Sequence, residues 1–201
     1  NKIPYLIFKF FIFSHMKETA RTDQFFKEVR QELKNGVSEK EHPFKTFVLG
    51  TVGLDKMARQ RTVVLRKVSE DLLLTFFTDF RSKKIIHIKE NNKVGLLFYH
   101  PEKLLQIKIE GLAQIVSSDP GVSKTWASLS QSAKKDYTTA QAPGSSIETP
   151  EVLEFLSERN YFCQVDIKPF KIEYLKLQAP NHLRVRFSSS KGLWNGEFLV
   201  P

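Results

Sequence analysis

The sequence predicts a mainly β chain folded as an antiparallel barrel, with helices outside it or at its ends. Three observations point there. Strand-like segments outnumber helical ones and are mostly joined by short turns, as in sheets built from hairpins. No regular strand–helix–strand alternation and no Gly-rich phosphate loop is present, which disfavours a doubly wound parallel sheet. Seventeen Phe among 201 residues favour a β-rich interior, because aromatic rings pack well on a pleated, half-buried surface.

Taken in order, Thr22 or Asp23 is placed to cap a helix whose apolar stripe is Phe25, Phe26, Val29 and Leu33 and which ends at Asn35-Gly36. Residues 38–43 read as a polar linker. From Phe44 the period changes to that of strands, at 44–52, 59–68 and 72–78. Residues 82–92 read as a short helix with Ile85, Ile86 and Ile88 inward. Strands at 94–99 and 104–116 form a hairpin about Pro101-Glu-Lys103, with Gly111 a candidate bulge. Asp119-Pro120 supplies a cap followed by Pro at the first helical position, and the helix is expected to include Trp126 and Leu129. Residues 140–146 are loop, and Thr149-Pro150 is expected to start a helix running through Glu158. Strands return at 161–167, 170–177, 183–187 and 194–200.

The length allows one domain with a sizeable core. A hydrophobic share of 41% and a charged share of 26% belong to folded, soluble chains rather than disordered ones. The net charge of +9 suits nucleic acid, an anionic membrane or a phosphorylated ligand. Because the cations are spread along the chain, the polyanion reading weakens, and no nucleic-acid or membrane partner is expected. Cys163 is the one cysteine, so there is no internal disulfide and no cysteine metal site, and no metal is expected. A cytoplasmic location follows as the default. Residues 1–15 stand apart: Ile3–Phe13 is apolar but shorter than the roughly 20 residues a bilayer span needs, and Lys9 interrupts it. They are read as an atypical N-terminal extension to a single domain over 16–201.

The chemistry concentrates in Arg59–Lys84. A basic strand, Arg59-Gln-Arg61-Thr-Val63-Val64-Leu65-Arg66, is followed by an apolar strand ending Phe77-Thr78, and then by Ser82-Lys83-Lys84 opening a helix. Helix N-termini present unpaired N–H groups and a positive dipole end, which stabilise a phosphate. Nearby cations add charge-assisted hydrogen bonds. The competing reading is a basic hairpin followed by an N-capped surface helix. Arg61 and Arg66 are five apart, so a regular strand sends them to opposite faces; they serve one ligand only if the strand is distorted or if they bind different parts of it.

In this order and spacing, Arg61-x-Val63-x-Leu65-Arg66, Phe77-Thr78 and Ser82-Lys83-Lys84 resemble the FMN-binding signature of the pyridoxine/pyridoxamine 5′-phosphate oxidases, R-x-V-x-L-K, Y-T-N and S-R-K. Arg replaces the strand-ending Lys, Phe the Tyr, and Lys the Arg. The resemblance extends from about Phe44 to Pro201, interrupted between Ser118 and Gln131. It implies an FMN-binding split barrel, usually a homodimer with flavin between subunits. It further implies cofactor contacts from Arg61, Val63, Val64, Leu65, Arg66, Phe77, Thr78, Ser82, Lys83 and Lys84, although core packing is the role expected of Phe77. Gln106 matches a family Gln that hydrogen-bonds the isoalloxazine. Gln131-Ser132 resembles a Gln-Ser pair reaching flavin from the partner, and Arg186 in His182-Leu-Arg184-Val-Arg186-Phe187 resembles a flavin-contacting Arg. Substrate contacts are implied for Arg66, His182 and Arg184, with the family's Arg and His exchanged in order. No catalytic residue is identified.

Two departures stand out. The family Trp that touches flavin aligns near Leu175. The Y-x-x-x-R-x-x-x-S set that holds the substrate phosphate is absent between Ser118 and Gln131, where Lys124 is the one cation. The resemblance therefore implies an FMN-dependent oxidoreductase acting on a small, phosphorylated or plain, amine or alcohol with dioxygen as acceptor. The alternative is a flavin-binding or sensory split barrel without turnover. Weak or absent pyridoxamine-phosphate oxidation is expected.

Overall fold

Alternation of buried and exposed residues along successive strands closes one sheet into a barrel. The computed structural model describes residues 3–201, with side chains from Arg21 onward. Its strands are β1 (Thr46–Val52), β2 (Ala58–Val68), β3 (Leu74–Asp79), β4 (Lys93–His100), β5 (Leu105–Val116), β6 (Phe162–Lys176), β7 (Leu183–Ser190) and β8 (Leu193–Leu199), and its helices are α1 (Ile3–Ser38), α2 (Lys83–Glu90), α3 (Pro120–Ser128) and α4 (Gln131–Lys135). The sheet order is β3-β2-β1-β4-β5-β6-β7-β8, and β3 also pairs with β6. Every pairing is antiparallel. The β3–β6 ladder, Leu74↔Ile167 to Asp79↔Phe162, closes a six-stranded barrel, and β7 and β8 extend the sheet beyond it.

One long strand, β6, takes both roles. Its first half pairs with β3 and its second, Lys171–Lys176, with β7. Pro169, which lacks an N–H, lies between these two ladders, where neither needs its donor. The two strands expected at 161–167 and 170–177 are thus a single one. Glu110 pairs with Lys171 and Gly111 with Pro169, so the bulge expected at Gly111 falls on the opposite strand, where Phe170 is the extra residue. A Cβ on Gly111 would lie 2.7 Å from Ile167 Cγ2, so only glycine fits without displacement.

The barrel is filled by inward residues of every strand, among them Phe47, Leu49, Leu65, Phe76, Leu96, Phe98, Ile107, Ile109, Val165 and Tyr174. α1 covers one side of the sheet with Val29 and Leu33, both fully buried, and with Phe25 and Phe26 packed against the core. The Tyr174 hydroxyl donates to Glu28 Oε2 at 2.8 Å, tying α1 to β6.

Several boundaries differ from expectation. Thr22 and Asp23 lie inside α1, and Gly36 lies before its end at Ser38. Residues 1–15, read as an extension, lie outside the described residues apart from the α1 backbone that starts at Ile3. In α2, Ile86 faces solvent and His87 is buried with Ile85 and Ile88; Ile85 and Ile88, three apart, share a helix face, and His87 is turned in to Thr51. The helix expected from Thr149 to Glu158 is one 3-10 turn, Pro150–Val152, after which the chain bridges Thr139 through Phe155. The helix α4 was not expected. Among the described residues no helix is long and apolar enough to cross a membrane.

Candidate functional site: a cationic cleft on the barrel wall

The outer surface of β2 and β3 meets the start of α2 and the segment after α4 in a cleft of about 290 Å³. Its lining includes Arg61, Val63, Val64, Arg66, Phe77, Thr78, Lys84 and Tyr137. The register of β2 on β3 slips between Leu65 and Lys67, so Arg66 occupies a bulge. Arg61 and Arg66, five apart, both line this cleft, and the bulge at Arg66 marks the strand as distorted there.

Each cation is placed by specific contacts. Arg61 Nη1 donates to Thr51 Oγ1 at 2.7 Å, to Arg59 O at 3.1 Å and to Leu49 O at 3.2 Å. Thr51 Oγ1 in turn lies 3.0 Å from His87 Nδ1, so α2 braces the arginine through a buried threonine. Lys84 Nζ donates to Thr78 Oγ1 at 2.9 Å, and the hydroxyls of Thr78 and Ser82 lie 3.3 Å apart. Ser82 is the N-cap residue of α2 but makes no side-chain cap bond; its hydroxyl turns to Thr78 instead. The Arg66 guanidinium sits 5.5 Å from the centre of the Phe77 ring and also faces the Tyr137 hydroxyl.

The electrostatics favour an anion. Burial, then the charge of Arg61, holds the Lys84 ammonium below its ordinary range, and burial lowers Arg61 as well. Asp79, the buried acid of the cleft, is committed elsewhere: Arg81 Nη2 pairs with its Oδ2 at 2.7 Å. Burial likewise pushes the Tyr137 phenol up, against the opposing pull of Arg66. Three cations with two hydroxyls at a helix N-terminus suit a phosphate monoester dianion.

The far wall comes from the stretch where the sequence departs from its resemblance. Val122, Tyr137 and Phe162 form a second small core, with Phe77, Val116, Trp126 and Leu129 packed against it. Phe77 stacks edge-on to Phe162 at 5.0 Å, so it both packs and lines the cleft. Arg81 fastens this wall. It donates to the carbonyls of Thr139 and Ala140 at 2.8 and 2.9 Å and lies 3.3 Å over the Tyr161 ring. Sequence reasoning missed Tyr137 and Arg81 as parts of the site, and no local spacing marked either.

Other residues singled out by sequence lie elsewhere. Leu65 points wholly into the core, and Lys83 is exposed on the solvent side of α2. Gln106 lies on the outer face of β5 between Tyr99 and Leu175. Gln131 and Ser132 are exposed on α4, with Ser132 Oγ 3.0 Å from Ser130 Oγ. Arg184 pairs with Glu173 at 2.7 Å and Arg186 with Glu197 at 2.9 Å. His182 is exposed in the turn before β7, with Nδ1 accepting from the Gln178 N–H at 3.2 Å. A single chain brings none of these eight into the lining of the Arg61 cleft.

Residues 24–117 match the family model described as pyridoxamine 5′-phosphate oxidase, FMN-binding domain. A pyridoxine/pyridoxamine 5′-phosphate oxidase of Aliarcobacter butzleri is 43% identical over 72 residues, which cover 36% of this chain and 34% of that protein, about a third of its length. The corresponding Vibrio vulnificus protein is 27% identical over 194 residues, covering 89% of this chain and 88% of its own. Among solved structures, a pyridoxamine 5′-phosphate oxidase-related, FMN-binding protein from Nostoc punctiforme superposes with a TM-score of 0.72 at 22% identity, covering 87% of this chain and 96% of that one. PhzG from Burkholderia lata, solved with tetrahydrophenazine-1-carboxylic acid, also superposes at 0.72, with 19% identity and coverage of 89% and 92%.

Proposed function

The chain belongs to the pyridoxamine 5′-phosphate oxidase-like, FMN-binding split-barrel family, and from that premise we propose that it binds FMN in the Arg61 cleft and serves as a flavin-dependent oxidoreductase. The observation that carries this reading is the pair Arg61 and Lys84, two half-buried cations facing one cleft whose buried acid is already paired. Such a pair is costly without an anion and stabilising with one. Arg61, Lys84, Thr78 and Ser82 would hold the phosphate, with the first turn of α2 adding N–H groups. The backbone of 62–66, with Arg66 and Phe77, would border the ring system. When bound, FMN supplies two-electron redox chemistry. The protein's part is to neutralise the phosphate, orient the ring against β2 and exclude water with the Tyr137 wall.

The substrate class best supported is a small amine or alcohol, phosphorylated or plain, with dioxygen as electron acceptor; a cytoplasmic setting goes with it. A homodimer is part of the same proposal. Gln106, Gln131, Ser132 and Arg186 lie outside the cleft of one chain, and a second copy would bring their counterparts to it. A flavin-binding protein without turnover is the second reading. It is favoured by the absent substrate-phosphate set and by Trp126, which lies in that stretch and packs on Tyr137 and Phe162 instead.

Titration of the purified apoprotein with FMN tests the site. Each lost charge-assisted contact is worth roughly 1.5–3 kcal/mol, so Lys84→Ala should weaken FMN binding by roughly ten- to a hundredfold. Lys83→Ala, on the exposed side, should change it less than about threefold by the same conversion. Equal losses in both variants would refute the assignment. Peroxide release with pyridoxamine phosphate and pyridoxine phosphate then separates turnover from binding alone.

A further inference from the structure

Of the half-buried arginines among the described residues, Arg30, Arg81, Arg184 and Arg186 are each paired with a carboxylate. The two that are not, Arg61 and Arg66, both line the flavin cleft, roughly 16 Å apart along β2 at the ordinary strand rise. Arg61 shares its end with Lys84, the pair assigned above to the flavin phosphate. Arg66 stands at the other end without an ion pair. Resting on that FMN reading, we propose that Arg66 and the Tyr137 hydroxyl form the substrate subsite, and that the group they take is a carboxylate on a flat, apolar body rather than a phosphate ester.

Charge decides between the two anions. The lining that accompanies Arg66 includes Tyr137 and its neighbour Asp136. The other cations of this neighbourhood are turned elsewhere. Lys67 Nζ donates to Thr125 Oγ1 at 3.2 Å and to Gln164 Oε1 at 3.4 Å, while Lys134 lies over the Trp126 ring and Lys135 over that of Phe155. One guanidinium matches one anionic charge. The second charge of a phosphate ester would find no cation here and would meet Asp136.

Geometry agrees with charge. The planar fork of a guanidinium matches both oxygens of a carboxylate, and the Phe77 ring, 5.5 Å away, orients it. Tyr137 is buried, and burial pushes its phenol up, so the hydroxyl stays protonated and is able to donate to the same group. Val64, Phe77 and Pro143 supply apolar lining for the body of such a molecule. Tyr137 itself is held by Trp126 and Phe162, at 6.3 and 5.1 Å between ring centres. The stretch that lacks the phosphate-holding set thus supplies a hydroxyl suited to a singly charged acid. The substrate class narrows to a small amine or alcohol that bears a carboxylate.

The test compares two probes built on one ring, benzoate and phenyl phosphate, by calorimetric titration of the whole protein at saturating FMN. Benzoate should bind at least about tenfold tighter, a comparison that needs no variant to fold. Arg66→Met should weaken benzoate roughly tenfold or more, as expected for one charge-assisted contact. Arg66→Lys should recover part of that loss, because an ammonium keeps the charge without the fork. Tyr137→Phe, which keeps the ring, should cost severalfold. Phenyl phosphate binding as tightly as benzoate overturns the proposal. So does a benzoate affinity unmoved by Arg66→Met, or no benzoate binding at roughly 10 mM, ten times a millimolar dissociation constant. Failure of the flavin reading is distinct, since FMN itself would then not bind. In that case benzoate titrated into the apoprotein decides the subsite alone: a loss on Arg66→Met upholds it and no loss removes it.

Discussion

At the scale of single residues, burial decides which polar groups are chemically available. Cys163 is fully buried between β3 and β5, its thiol pushed up to about 12 by desolvation and then by Asp79, and its Sγ lies 3.5 Å from Thr78 O. A thiol that stays protonated is a poor nucleophile. Alkylating reagent applied at mildly alkaline pH should leave native protein unlabelled and label it only after denaturation. Rapid native labelling would contradict that environment. His87 carries a shift of opposite direction from the same leading cause. Burial first, then Arg61, Arg59 and Lys83, against Asp55, hold it below its ordinary 6.5. Between its folded value and 6.5 the unfolded chain binds a proton that the folded chain refuses. Stability is therefore full above that window and is lost as pH falls through it. Denaturation midpoints should decline as pH is lowered past about 6.5, and His87→Gln should flatten part of the decline. An unchanged slope would show that Thr51 and Arg61 do not sense this ring.

Among elements, close approach outranks intrinsic propensity. Gly36 lies inside α1, where replacing Gly by Ala ordinarily gains roughly 1 kcal/mol of helix stability. Here the new Cβ would lie 2.6 Å from Phe44 O and 2.8 Å from Phe44 C. That neighbour is backbone and anchors the turn into β1, so it cannot swing aside. Overpacking of this kind costs typically 1–3 kcal/mol, which exceeds the propensity gain. Gly36→Ala should lower stability in a urea titration, and a stabilised variant would mean that α1 shifts freely on the barrel. The Asn35-Gly36 pair looked like a helix end because glycine is common there. The tertiary contact that requires it is invisible in the local pattern. The expected helix at 149–158 failed for a related reason: its start signal was local, while Phe155 is claimed by a bridge to Thr139.

For the whole molecule, the open question of assembly has a physical form. The outer faces of β1, β4 and β5 expose Leu97 and Tyr99 beside Gly50 and Gly95, above a shallow cleft of about 300 Å³. The residues implied to complete a neighbouring flavin pocket are exposed or held in surface ion pairs. Light scattering of the purified protein should report twice the chain mass under the proposed arrangement. A monomer binding one flavin per chain would rule the arrangement out.

What the sequence determined by itself was the kind of order: strand periodicity, short turns and the run of cations from Arg61 to Lys84. These depend on neighbours along the chain, where period two and helix-start chemistry are directly legible. The tertiary structure alone decided the rest. It merged two strands into β6, because Pro169 falls between two ladders and so breaks neither. It put Arg66 in a bulge and brought two arginines of opposite parity to one cleft. It also turned Lys84 inward and Lys83 outward, and gathered Glu32, His42 and His100 from positions up to 68 apart in numbering. Such convergence depends on barrel closure and on the packing of α1, and no local pattern of residue types carries that information.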